Sequence, residues 1–352
     1  MINRERAKAA LDKIIAKARI HLYKPIQIAE ILYFVRTNPG KINLMNKSEY
    51  INRSKKWRDD ITIELVGSKS TSSAQFQNNL FDDNAIPPEV LIELANENTR
   101  TNGAVEAYIY GKFTSRYAQL STSLDYALKA SKDDFDVKKF IDSFRHEPGL
   151  KRSIDKIYEI VVYSLFSTLV SALDLQVSIS INADKHDLLA EFIDFAQLVM
   201  CLDVDNITRI QNARVYRVGV TNAADRGLDM YSNWGPAIQI KHLSLSEEIA
   251  EDVINSVASD KIVIVCKDAE ERIIISLLNQ LGWHNRIQSI VTESDIINWY
   301  EKALRGAYAI DIGNELLSCL CGEIVNEFPS VYETPEVLKR RNYDRISDDF
   351  WK

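Results

Sequence analysis

Residues 215–245 read VYRVGVTNAADRGLDMYSNWGPAIQIKHLSL, and the fold turns on this stretch. Its centre, Ser232-Asn233-Trp234-Gly235-Pro236, supplies the Asn, Gly and Pro that a strand reversal uses. With the turn centred on Trp234, Asp229 and Gln239 each lie five residues away and fall opposite one another. Period-two alternation then places Gln239 and Lys241 on one face of their strand, with Ile238 and Ile240 on the other.

Working outward, the hairpin sits in an alternation of short β-branched runs and amphipathic stretches. The patterns predict strands over 214–220, 226–231, 237–245, 261–267 and 286–292. They predict helices over 186–202, 246–257 and 268–281, then two more before an irregular charged tail. Ser246 is placed to cap its helix, with acidic residues in the first turn. Upstream, Ala7, Ala10, Leu11, Ile14, Ile15 and Ala18 recur at helical spacing. A second apolar face runs Ile26, Ile28, Ile31, Leu32 and Val35 to a stop at Asn38-Pro39-Gly40. Further helices are expected around 88–96, 104–131, 136–145 and 151–174. The expected fold is therefore α/β of the α+β kind: a mixed central sheet flanked by helices (181–352) after a mostly helical region (1–180), with a boundary near residue 180.

Composition agrees. The 352 residues suit about two domains, and 46% hydrophobic with 26% charged residues is the balance of a soluble globular chain. Twelve glycines and eight prolines, about half the usual share, favour long elements over linkers. There is no solenoid or propeller period, no run of 18 apolar residues and no signal-peptide core, so a cytoplasmic protein without a membrane segment is expected. Cys201, Cys266, Cys319 and Cys321 form no C-x-x-C pair and read as thiols of a reducing compartment. His21, His146, His186 and His284 share no metal-ligand spacing. A net charge of -7 argues against a nonspecific nucleic-acid coat, but not against a cleft where a divalent cation changes the local sign.

A carboxylate, an amide and an ammonium converging on one sheet face need water, a metal or a substrate to satisfy them. Metal-assisted phosphodiester hydrolysis uses such a set. Asp229 and the Gln239 oxygen, with the Ile240 carbonyl, would hold Mg²⁺. Lys241 would orient or deprotonate the attacking water and stabilise developing charge. On spacing alone, a structural Asp–Lys ion pair beside an edge glutamine satisfies the pattern equally well.

Asp229 followed by Gln239-Ile240-Lys241, inside a helix–meander–helix–strand order, resembles the PD-(D/E)XK nuclease core. The phrase at 215–245 is similar to type II restriction endonucleases, and the chain as a whole looks most like the HaeII family. The resemblance implies an Mg²⁺-dependent endonuclease that cuts both strands of a palindromic site, purine-GCGC-pyrimidine for HaeII-like enzymes. Asp229 takes the place of the motif aspartate, Gln239 of the (D/E) and Lys241 of the lysine. Leu228 stands where the motif has proline. The neutral Gln239 binds a cation less strongly than a carboxylate, so another acid is called for. Glu191 is favoured because many of these enzymes take a ligand from the helix before the meander. Asp187 and Asp194 share nearly the same helical face, and Asp225 is a further alternative. His242 points to the opposite face from Lys241, as a packed residue or a phosphate contact. The alternatives to a restriction enzyme are a DNA-binding protein that keeps the scaffold without catalysis, and a structure-specific repair or recombination nuclease.

For the grip on double-stranded DNA, Arg53, Lys55, Lys56 and Arg58 gather around Trp57, a phosphate-binding pattern that a solvated helix face also produces. Lys151-Arg152 and Lys339-Arg340-Arg341 are weaker candidates. Asn222 and Arg226 enter the strand that bears Asp229 and are candidate DNA contacts. A palindromic site is most simply cut by a homodimer. The apolar helix at 151–174 is either its interface or part of the protein's own core. No fused methyltransferase pattern is present, so host protection would come from a separate cognate methyltransferase.

Overall fold

The computed structural model describes residues 3–18, 21–67, 79–82, 85–147, 149–218, 228–257, 259–268, 286–328, 336–346 and 350–351. Contacts divide the chain into two compact units. The first holds the N-terminal residues through Tyr158 together with the segment from Cys321 onward. The second holds Glu159–Val218 and the residues up to Leu320. A single cut near residue 180 therefore does not describe the division, because the end of the chain returns to the N-terminal helices.

The first unit is helical, as its 3.6-residue apolar periodicity requires. Helix α1 (Arg4–Lys17) is capped by Asn3, whose side chain accepts from the Arg6 amide, and it buries Ala7, Leu11 and Ile15 at four-residue intervals. Helix α2 (Tyr23–Thr37) buries every residue from Pro25 to Leu32. Helix α3 (Ile51–Val66) stops at Gly67, whose φ of 73° an L side chain rarely adopts. Helices α4 (Pro88–Arg100), α5 (Ala104–Lys129) and α6 (Val137–His146) complete the packing.

A buried ionic cluster fastens the returning segment to these helices. Arg341 donates to both oxygens of Glu30 at 2.6 and 3.0 Å. Glu106, fully buried, accepts from Arg36 at 2.9 Å through both oxygens, from Asn98 at 2.6 Å and from the Tyr343 hydroxyl at 2.5 Å. The Tyr110 hydroxyl also donates to Glu30 at 2.6 Å, and burial raises the Tyr110 and Tyr343 hydroxyls far above the ordinary tyrosine value, so both stay neutral donors. The basic run 339–341 is thus largely committed to internal pairs, Arg340 with Glu64 at 3.0 Å and Arg341 with Glu30.

Helix α7 (Ile154–Ala172) runs from the first unit into the second. Ile157, Ile160, Val161, Val162 and Leu165 are fully buried, which makes the first part of this helix core, while its end is exposed. The second unit carries two sheets. One is an antiparallel ribbon of β1 (Gln176–Ser180) and β2 (Thr208–Asn212). The other has five strands in the order β3 (Val215–Arg217), β4 (Met230–Ser232), β5 (Ala237–Lys241), β6 (Ile262–Cys266) and β7 (Ile287–Thr292). β3–β4–β5 pair antiparallel, and β5–β6–β7 pair parallel. The parallel step from β5 to β6 is made by helix α8 (Glu247–Ser256), capped by the Ser246 side chain.

Helix α8 lays Ala250 and Val253 on Ala237, Ile262, Ile264, Cys266 and Ile287, covering the β5–β7 half of that sheet face. On the other face α7 packs with α9 (Glu293–Arg305): Phe166 meets Trp299 and the Tyr300 hydroxyl donates to Val161 O at 2.9 Å. Helix α10 (Ala309–Glu327) follows.

The expected helix at 186–202 is interrupted. His186–Glu191 is helical, Phe192 departs from helical geometry, and Ala196–Met200 closes as a π-turn ending at Cys201 with φ 51°. Its apolar residues surround the axis instead of forming a stripe, and Leu189, Ala196 and Leu202 alone among them are buried, so packing does not hold one straight helix. The β1–β2 ribbon was not anticipated, although both strands alternate in the sequence. The expected helix at 268–281 lies almost wholly outside the described residues.

Candidate active site on the β4–β5 hairpin

The register pairs Met230 with Ile238 and Tyr231 with Ala237. Continued by one residue, it sets Asp229 opposite Gln239, the arrangement that a turn about Trp234 demands. The turn is held locally: the Ser232 amide and hydroxyl both donate to Pro236 O at 3.0 Å, and Gly235 takes φ 129°. Asn233 ties it to neighbouring chain, accepting from the Arg214 amide at 2.8 Å and donating to Asn212 O at 3.0 Å.

Two donors meet on one carboxylate oxygen. Asp229 Oδ2 accepts from the Gln239 side-chain amide and, at 2.7 Å, from the Ile240 backbone amide. With the Gln239 nitrogen turned to the carboxylate, its oxygen Oε1 is buried without a hydrogen-bond partner. The reverse orientation would set oxygen against carboxylate, so the orphan is a consequence of the pairing. Gln239 is 3% exposed, and an unsatisfied amide oxygen there costs about 1–3 kcal/mol. Lys241 ends β5 on the same face, half-buried. Among the described residues it forms no ion pair, so the structural Asp229–Lys241 bridge that the spacing allows is not made.

In register with Lys241 stands Cys266 on β6. Burial, with Asp268 and Asp295 adding to it, pushes its thiol up to about 11. His242, partly exposed, follows Lys241. The Asp229 carboxylate and the Gln239 oxygen are hard donors, which suits a hard divalent cation.

The other expected residues divide. Glu191, Asp187 and Asp194 are all exposed, and among the described residues no three His, Cys, Asp or Glu side chains gather to hold a metal ion. Asn222, Asp225 and Arg226 lie outside the described residues. Arg58 is a correction: it is 1% exposed, bound to Asp59 at 2.6 Å and to Gln27 at 3.4 Å, so its guanidinium faces inward and not toward DNA. Lys56 and Arg53 on the same helix are exposed, Lys55 is half-buried, and Arg53 rests over Phe34 and the stacked Trp57.

Sequence reasoning passed over two residues on the hairpin's own face. Tyr216 on β3 and Tyr231 on β4 are cross-strand partners, stacked at 5.0 Å between centroids with planes 18° apart, and both are exposed. Alternation from Asp229 to Tyr231 was the available signal.

The profile described as HaeII restriction endonuclease matches residues 7–343. The chain is 54% identical over 344 residues to the type II restriction enzyme HaeII of Haemophilus aegyptius, covering 97% of each chain. It is 52% identical over 346 residues to the type II restriction enzyme NgoBI of Neisseria gonorrhoeae, covering 97% of this chain and 98% of that one. No solved structure matches it.

Proposed function

This chain belongs to the HaeII restriction endonuclease family and is a type II restriction endonuclease; from that premise we propose that the β4–β5 hairpin is its active centre, working in a PD-(D/E)XK-like core. The observation that carries the proposal is the buried, unpartnered Gln239 oxygen beside the Asp229 carboxylate. A buried polar atom without a protein partner is a place where a bound ion, water or substrate can supply the missing contact. The antiparallel–antiparallel–parallel–parallel strand order supports the same reading.

The residues fit Mg²⁺: Asp229, the Gln239 oxygen and the Ile240 carbonyl would hold it, with Glu191 as the favoured further acid. When bound, the ion supplies charge neutralisation at the scissile phosphate and lowers the pKa of a coordinated water. The protein's own part is positional. The Ile240 amide and the Gln239 amide fix the Asp229 carboxylate in one orientation. Lys241, uncommitted to any other charge among the described residues, places its ammonium where it orients the attacking water and meets developing negative charge.

The substrate is double-stranded DNA with a palindromic purine-GCGC-pyrimidine site, cut by a homodimer whose two centres each take one strand. Leu173, Leu198 and Ile210, 76%, 84% and 62% exposed, are apolar side chains that a second copy would cover. Lys55, Lys56, Asn222 and Arg226 are proposed DNA contacts. The first unit is proposed to contribute to DNA holding, and a separate methyltransferase would protect host DNA. A cytoplasmic location fits, and among the described residues no helix is long and apolar enough to cross a membrane.

Digestion of a sequenced plasmid by wild type and Asp229→Ala, with Mg²⁺ or EDTA, tests the reading. Discrete fragments that need both Asp229 and Mg²⁺, with ends inside purine-GCGC-pyrimidine, are expected. Undiminished cutting by Asp229→Ala would remove the hairpin from the mechanism.

A further inference from the structure

Helix α8 covers only the β5–β7 half of the sheet face that bears Gln239 and Lys241. On the β3–β4 half of that face Tyr216 and Tyr231 are exposed, and Asp229 lies at the border between the two halves. On the open half stands the stacked pair Tyr216 and Tyr231. Their backbones pair directly across β3 and β4. The two rings differ from the surrounding residues: Val215, Met230 and Ser232 point to the opposite side and are buried, whereas Tyr216 and Tyr231 are 37% and 43% exposed. Arg214, two residues before Tyr216 and so on the same side, is exposed and makes no ion pair among the described residues.

One face therefore presents, in sequence, an uncommitted guanidinium, two phenols side by side and the Asp229–Gln239 pair. Tyr231 is two strand residues from Asp229, about 7 Å. That is comparable to the step from one phosphate to the next along a single DNA strand. A stacked pair leaves its ring faces satisfied by one another and its hydroxyls available as donors, and tyrosine hydroxyls are among the groups that bind DNA phosphates.

We propose that Tyr216 and Tyr231 form a phosphate clamp: their hydroxyls hold the phosphodiester next to the scissile one, with Arg214 beyond it, and so set the register of the strand over Asp229. The proposal rests on the hairpin being the active centre. The tyrosines are positioning residues; they bind a neighbouring phosphate and take no part in bond making or breaking.

The test is a cycle of protein and substrate changes. Single-turnover cleavage and KM are measured on duplexes with one central site, either native or carrying a neutral methylphosphonate immediately 5′ or 3′ of the scissile phosphate. The proteins are wild type, Tyr216→Phe, Tyr231→Phe and the double Phe variant, which keep the stacked rings and hence the sheet. Loss of a hydrogen bond to a charged group predicts roughly a tenfold rise in KM for the double variant on native DNA, with a smaller change in the rate of the bound complex. At one of the two methylphosphonate positions the wild type should lose about the same factor and the double variant nothing further. Multiplying losses at both positions, or Phe variants indistinguishable from wild type on native DNA, would overturn the clamp. Asp229→Ala is run alongside. If it cleaves normally, the active-centre reading fails and the clamp falls with it. If it is inactive while the tyrosine losses simply multiply, only the clamp is lost.

Discussion

Two polar clusters, one in each unit, are built from similar residues and left in different states. Around Glu30 and Glu106, guanidinium, amide and phenol groups converge on two buried carboxylates, and Arg341, Arg36, Asn98 and Tyr343 are all placed as donors. Around Asp229 the Gln239 and Ile240 amides orient the carboxylate, yet among the described residues the neighbouring Gln239 oxygen has no partner and Lys241 forms no ion pair. A saturated network has nothing left to offer a ligand and fastens one chain segment to another. An oriented but unsaturated one holds reactive groups in place and leaves valence for a substrate or cation. The amount of unmet hydrogen-bonding capacity, more than the residue types, separates the fastening from the site.

The sharpest way to break this contrast is Asp229→Asn, which keeps the size of the side chain and removes its charge. Plasmid cleavage should fall by roughly a thousandfold or more while the melting temperature stays close to wild type. A stability loss with cutting retained would make the hairpin a fastening too. On the other side, Arg341→Met leaves Glu30 buried without its ion-pair partner and should destabilise the protein by about 3–5 kcal/mol in urea unfolding. Cleavage per folded molecule should be unchanged. Gln239→Ala should cost cleavage about tenfold to a hundredfold, whereas Gln239→Glu should restore it and lower the Mg²⁺ concentration needed at half-maximal rate, because a carboxylate binds the ion more strongly than an amide. The smallest effect is expected from Lys56→Ala: a modest weakening on every DNA sequence and a salt-dependence slope lower by about one, read by fluorescence anisotropy. The inward-facing Arg58, changed to Lys, should leave that slope alone and affect stability only.

Much of the second unit was legible because local rules govern it. The turn residues at 232–236 set the register, and the register alone sets Asp229 across from Gln239. The Ser246 cap was legible for the same reason. Other readings failed where distant chain decides. Arg53, Lys55, Lys56 and Arg58 look alike in sequence, but α3 packs against α2, so Arg58 turns to Gln27 and is buried while Lys56 faces water. Likewise, nothing near residue 341 announces that Arg341 pairs with Glu30.

By itself, then, the sequence determined the secondary elements of the sheet, the pairing of Asp229 with Gln239, and the family. The first two depend on residue order within about thirty positions, and on β-period and turn chemistry that act at that range; the family is carried by nearly the whole chain, residues 7–343. Only the tertiary structure decided which polar groups are spent and which are left available. It assigned Arg58, Arg340 and Arg341 to internal pairs, orphaned the Gln239 oxygen, and left Tyr216 and Tyr231 uncovered beside Asp229. Hydrogen-bond satisfaction and burial depend on which remote segments arrive, and side-chain identity carries no record of them.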